Sequence, residues 1–147
     1  MILNLRDSCL DSFREICRQN NLKVTPQRLA IYEELLKSKD HPSAEILHER
    51  VKKAIPDISL DTVNRTLLTF ARIGISHVVE GYGEVRRFDP CMENHHHFIC
   101  VKCGTIIDFR YKPYDDIIIP GHIQKKLAVL KKKVLLEGYC NHCRRKK

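Results

Sequence analysis

Ser59-Leu60-Asp61-Thr62-Val63-Asn64-Arg65-Thr66-Leu67-Leu68-Thr69-Phe70-Ala71-Arg72-Ile73-Gly74 reads as one amphipathic helix. Ser59 offers a capping hydroxyl at its start. Leu60, Val63, Leu67, Phe70 and Ala71 fall on one side at helical spacing, and Thr62, Arg65, Thr69 and Arg72 on the other, with Asn64 at the border. Beyond Gly74, two short strand-like runs, Ile75 to Glu80 and Glu84 to Phe88, predict strands joined by a turn at Gly81-Tyr82-Gly83. A polar helix face by itself is only what any solvated helix shows. Placed before a hairpin and after short helices, it describes a winged helix-turn-helix, in which this helix enters the major groove of DNA and the hairpin lies along the backbone.

The upstream sequence supplies those helices. Leu10, Phe13 and Cys17 mark a first helix over about Leu5 to Gln19. Thr25-Pro26 starts a second, with a capping hydroxyl followed by proline at the first helical position, and Leu29, Tyr32, Leu35 and Leu36 form its apolar stripe. Ser43 caps a third, with Ala44, Leu47, Val51 and Ile55 on one side, which Pro56 ends. Downstream of Pro90 the composition changes. Phe98 to Val101, Thr105 to Tyr111 and Val134 to Gly138 predict strands, and a helical or mixed segment interrupted by Pro120-Gly121 spans about Tyr114 to Leu130. The expectation is an α+β chain: a winged helix-turn-helix domain over residues 1–87, then a small α/β domain over 88–147.

Four of the seven cysteines form two Cys-x-x-Cys knuckles, Cys100/Cys103 and Cys140/Cys143. Their thiolates can occupy the four corners around Zn2+, leaving no open position, so such an ion holds structure and performs no catalysis. A thioredoxin-type redox pair would need a knuckle opening a helix in a βαβ unit, which neither has. Cys9 and Cys17 read as small core residues. A second cluster lies near the first knuckle. On a strand, His95 and His97 face one way and His96 the other, and Asp108 on the following strand can join the first pair, as can Asp89 just before. Two imidazoles and two carboxylates suit a borderline divalent ion such as Fe2+, Mn2+ or Zn2+, while ordinary surface histidines remain the competing reading.

Composition limits the classes. With 43% hydrophobic and 30% charged residues the chain is globular in character. No apolar run approaches the ~20 residues of a membrane helix, and the charged start is no secretory signal, so a cytoplasmic protein without membrane partners is expected. Lys plus Arg balance Asp plus Glu at 17 each through His122, so the net charge of +8 comes entirely from nine basic residues and Glu137 after it. A solvated basic end explains that excess as well as a phosphate contact does.

The residues Thr25-Pro26-Gln27-Arg28, His41-Pro42-Ser43-Ala44, Thr62-Val63, Arg65-Thr66-Leu67, Arg87-Phe88-Asp89, His95 to His97, Cys100 to Asp108 and the Cys140/Cys143 pair, in that order and spacing, resemble the ferric uptake regulator family over nearly the whole chain. The resemblance implies a homodimeric, metal-dependent transcription factor, usually a repressor, whose second domain dimerises. It adds His41 as a metal ligand, giving a regulatory Fe2+ or Mn2+ site of His41, Asp89, His95, His97 and Asp108. The structural Zn2+ would take Cys100, Cys103, Cys140 and Cys143. On double-stranded DNA with a palindromic operator, Arg28, Ser59, Thr62, Asn64 and Arg65 are the candidate contacts. Aspartate at both 89 and 108 resembles the peroxide-sensing branch, in which oxidation of a ligand histidine, here His41 or His95, releases metal and DNA; iron-uptake regulators more often carry glutamate there.

Two departures stand out. Asn64 occupies a position where the family usually has tyrosine; asparagine can read adenine by a bidentate hydrogen bond. Pro120-Gly121 and Lys131 to Lys133 replace a more regular helix and strand, and the histidines of a third metal site found in some members are not evident there. Two rival functions come from other classes. A zinc hydrolase would need an open metal position and a general base, and no His-Glu-x-x-His helix is present. A zinc-ribbon module would bind RNA or protein through the basic end.

Overall fold

A computed structural model describes residues 5–80, 83 and 85–146. They divide into two compact units, the first of residues 5–80 and 85–92 and the second of Gly83 and residues 93–146.

The first unit contains helices α1 (Leu5–Gln19), α2 (Pro26–Lys37), α3 (Ala44–Val51) and α4 (Leu60–Ile73), followed by strands β1 (His77–Glu80) and β2 (Arg86–Asp89). Three helix starts follow from local chemistry. Thr25, Ser43 and Ser59 are extended, and each side-chain oxygen accepts a backbone N–H three residues on, from Arg28, Ile46 and Thr62. Gly74 ends α4 in the left-handed conformation, φ +82°, which costs glycine nothing. Phe13, Cys17, Ile31, Leu35, Leu47, Val51, Val63, Leu67, Phe70 and Phe88 are buried in one core. Tyr32 stacks on Phe13 with ring centroids 4.2 Å apart, and Phe70 meets both edge-on. β1 and β2 pair antiparallel from His77↔Asp89 to Glu80↔Arg86. The turn expected at Gly81-Tyr82-Gly83 lies outside the described residues except for Gly83, as does the expected strand residue Glu84.

Two details differ from expectation. α3 ends at Val51, one turn before Ile55, because Pro56 disfavours helical backbone in the residue before it; Ala54 and Ile55 both donate to the Val51 carbonyl instead. Leu60 is 39% exposed, since it precedes the point where α4 meets the core, and Thr66 is buried in its stead.

The second unit is built on a three-stranded sheet of order β4-β3-β5, from β3 (His96–Cys100), β4 (Ile106–Phe109) and β5 (Leu135–Gly138). β3 runs antiparallel to β4 and parallel to β5, pairing Cys100 with Gly138. The segment expected to be helical holds only α5 (Lys112–Asp115) and α6 (Gly121–Gln124). The β-branched run Ile117-Ile118-Ile119 followed by Pro120 opposes continuation between them. α7 (Asn141–Arg145) closes the chain. Among the described residues, no helix is long and apolar enough to cross a membrane.

Candidate metal centres

β3 delivers Cys100 to the end of the sheet, where Gly104 donates to the Cys100 carbonyl at 2.8 Å and takes φ +72°, closing the turn that presents Cys103. β5, parallel beside it, delivers Cys140, which caps α7 by accepting the Cys143 N–H on its sulfur. The four sulfurs lie within 4.8 Å of one another, and the Cys103 and Cys140 sulfurs are 3.8 Å apart. That is the edge of a tetrahedron whose centre is about 2.3 Å from each corner, the zinc–thiolate bond length. The Cys140 N–H, donating to the Cys100 sulfur at 3.3 Å, is the main cause that brings the Cys100 thiol down to about 6. The Thr105 hydroxyl 3.1 Å from Cys103 lowers that thiol too. Cys143 is pushed up to about 12, chiefly by burial and then by its neighbouring thiols. Four thiolates therefore share this space only with a cation among them, and the soft donor set fits zinc.

On one side of the second unit's sheet His95 and His97 bring their Nε2 atoms to 3.0 Å. Asp108, paired with His97 across the β3/β4 ladder, places Oδ1 3.3 Å from the His97 Nε2 and 3.7 Å from that of His95. Both rings are buried. The Glu93 carbonyl lies 2.7 Å from His95 Nδ1; a carbonyl only accepts, so Nδ1 carries the proton and Nε2 keeps its lone pair for a metal. His96 points the other way. Its Nδ1 accepts the Val134 N–H at 3.1 Å, its Nε2 lies 3.2 Å from Asp115, and its ring packs on Phe109 and Tyr114, so it ties β3 to its neighbours.

In the first unit His41 and Asp89 form a buried pair, with Nε2 and Oδ2 3.7 Å apart. Asp89 Oδ1 accepts the Cys91 N–H at 2.8 Å, which turns the other oxygen toward His41. Neither the Glu93 carbonyl nor the Cys91 N–H entered the sequence reading, although Asp89-Pro90-Cys91 carries the signal of a side chain bonding the backbone two residues on.

The residues read as DNA contacts all belong to the first unit. Arg65 is 78% exposed on α4 and pairs with Asp61 at 2.9 Å, one helical turn earlier. Ser59 is exposed, and its hydroxyl caps α4 and donates to the Thr62 hydroxyl at 2.9 Å. Asn64 is half-buried and lines a cleft of about 300 Å3 with Ala44, Glu45, Val85, Arg86 and Phe88. Arg28 is half-buried and donates to the Lys23 carbonyl at 2.6 Å.

Residues 19–134 match the model of the ferric uptake regulator family. The chain belongs to the ferric uptake regulator family. It is 33% identical over 129 residues to the peroxide-responsive repressor PerR of Staphylococcus saprophyticus, covering 88% of this chain and 87% of that one. The same identity and coverage hold for PerR of Staphylococcus aureus. Among solved structures, the peroxide stress regulator of Campylobacter jejuni superposes with a TM-score of 0.65 at 27% identity, over 91% of this chain and 98% of that one. The Helicobacter pylori ferric uptake regulator, described as having three functional metal binding sites, superposes with a TM-score of 0.77 over 95% and 93%; at 24% identity this likeness speaks for the fold. As a member of the ferric uptake regulator family the chain is a metal-dependent transcriptional regulator and not an enzyme, which removes the hydrolase reading.

Proposed function

We propose that this regulator is a peroxide-sensing repressor that binds a palindromic operator when loaded with metal, acting in the cytoplasm as a homodimer. The observation that carries the reading is that each unit already gathers buried imidazoles beside a carboxylate, His95 and His97 with the more exposed Asp108 in one and His41 with the buried Asp89 in the other. Taken with the family resemblance, these five are the ligands of a regulatory Fe2+ or Mn2+, and Cys100, Cys103, Cys140 and Cys143 hold a structural Zn2+. Bound there, the divalent ion supplies a removable positive charge that imidazoles and carboxylates share.

His41 precedes the recognition helix in a winged-helix domain of residues 1–87, Asp89 sits at the hinge where a dimerisation domain of residues 88–147 begins, and His95, His97 and Asp108 lie within that second domain. The five bind an ion best in whichever arrangement lets all of them reach it, and only that difference in affinity shifts the population of arrangements. Each ~1.4 kcal/mol of preference is worth about tenfold. In a dimer, two copies of α4 about one helical turn of DNA apart match a palindrome. Arg28, Ser59, Thr62, Asn64 and Arg65 are its contacts. Ile118 and Leu130, 91% and 96% exposed, suit burial against a second copy. The two aspartates and the likeness to peroxide-responsive repressors favour peroxide over iron sensing.

Mobility shift with a cognate operator tests the gate. Chelation and His97→Ala should each weaken binding at least tenfold; unchanged affinity in both would refute it. Peroxide sensing predicts that a peptide containing His41 or His95 gains the mass of one oxygen after peroxide treatment of the Fe2+ form and nothing in the Mn2+ form. No gain in either form would leave the iron-sensing alternative standing.

A further inference from the structure

His41 has φ +49°, in the left-handed region, although it is not glycine and it precedes Pro42. Both features oppose that conformation. Its Cβ crowds the following carbonyl there, and the proline ring pushes the preceding residue toward extended backbone. What holds it comes from elements distant in sequence. Arg87 on β2 donates Nε to the His41 carbonyl and Nη2 to the Asp40 carbonyl, the latter at 3.0 Å. One residue on, the Phe88 N–H donates to the Pro42 carbonyl at 3.0 Å. The Asp40 carboxylate accepts both terminal nitrogens of Arg50 on α3, at 3.0 and 2.5 Å, and Arg50 also reaches the Ser38 hydroxyl at 2.9 Å. Three consecutive carbonyls are thus fastened to β2, while the Asp40 side chain is fastened to α3. The same strand, two residues after Arg87, carries Asp89.

We propose that Arg87 is the positioning residue of the regulatory metal site. Its planar fork, braced by Arg50 through Asp40, keeps His41 left-handed and its imidazole directed at Asp89, so this half of the ligand set is assembled ahead of metal binding. The inference deepens the reading of His41 and Asp89 as ligands and rests on it.

The sign of the effect separates support from charge. A guanidinium near a cation site repels the cation, so removing its charge alone would tighten metal binding. Removing a support that orients a ligand loosens it, typically by 10–100-fold.

The full chain with its zinc in place is titrated with Co2+ and followed by visible d–d absorption. Arg87→Gln should raise the Co2+ dissociation constant by about 10–100-fold, with zinc content and helical circular dichroism retained. Arg86→Gln, which removes the same charge one residue away, should leave Co2+ affinity unchanged or tighter. Arg87→Lys, which keeps the charge but cannot fork between two carbonyls, should be weakened as well. In the metal-free protein, the His41 Cα chemical shift should leave its left-handed value in both Arg87 variants and stay there in Arg86→Gln. Parental or tighter Co2+ affinity in Arg87→Gln overturns the proposal. If that variant does not fold, parental affinity in Arg87→Lys overturns it equally. His41→Ala, titrated in parallel, tells the two readings apart. Unchanged affinity there removes His41 as a ligand, whereas loss there with parental affinity in Arg87→Gln removes only the positioning role.

Discussion

Tyr32 shows how far a single position can be read. The apolar spacing of α2 placed it in the core, but not what its hydroxyl would do there. In the structure it is 6% exposed and donates to the Cys9 carbonyl at 3.2 Å, which joins α2 to α1. Burial pushes its phenol up to about 12. Since the folded value lies above the ordinary value near 10, the stabilisation is complete below pH 10 and is lost as pH rises from 10 through 12, on the order of 3 kcal/mol at most. Thermal melts across that range should show a loss that Tyr32→Phe lacks, and that variant should cost about 1 kcal/mol at neutral pH through the missing hydrogen bond. An equal alkaline loss in both proteins would contradict this. Thr25, Ser43 and Ser59 were legible as caps because a capping bond spans three residues. The left-handed backbone of His41 was not, because Pro42 argues against it and the opposing contacts come from Arg87, 46 residues away.

Among the elements, helices with an apolar stripe were legible almost to the residue, as α1, α2 and α4 are. The second unit was less so. Its strands were visible as short apolar runs beside the knuckles, but nothing local says that β5 lies parallel to β3. Gly138 sits in that pairing opposite Cys100, and an added Cβ there would lie 3.2 Å from the Phe98 ring. Gly138→Ala should therefore destabilise by about 1–3 kcal/mol, the usual cost of overpacking. Because Cys140 follows two residues later, zinc retention should fall with it. Combining it with Phe98→Leu should recover part of both losses in a double-mutant cycle; strict additivity would show that the ring is not what the alanine meets.

For the molecule as a whole, the two units draw stability from different sources. The first has a contiguous core in which Phe13, Ile31, Leu47, Leu67 and Phe70 are all buried. In the second, the only aliphatic residues buried among those described are Ile99 and Ile106. A small sheet with so little apolar burial depends on its metal, as other small metal-stapled units do. A chelator strong enough to extract zinc should abolish the strand signal of the second unit while the helical melting transition of the first stays in place. A single transition that chelation does not move would count against this division of labour.

Taken by itself, the order of residues determined the first four helices, the pair of strands after them, the two knuckles and the alternation of the His95–His97 run, because each is decided within a few residues by capping, periodicity or chain geometry. Tertiary structure alone decided which carboxylate oxygen turns toward which imidazole, how four sulfurs come within reach of one another, and how His41 is kept in a conformation its own neighbours disfavour. Those outcomes arise from contacts between segments tens of residues apart, where the energy of many groups acting together outweighs the preference of any one.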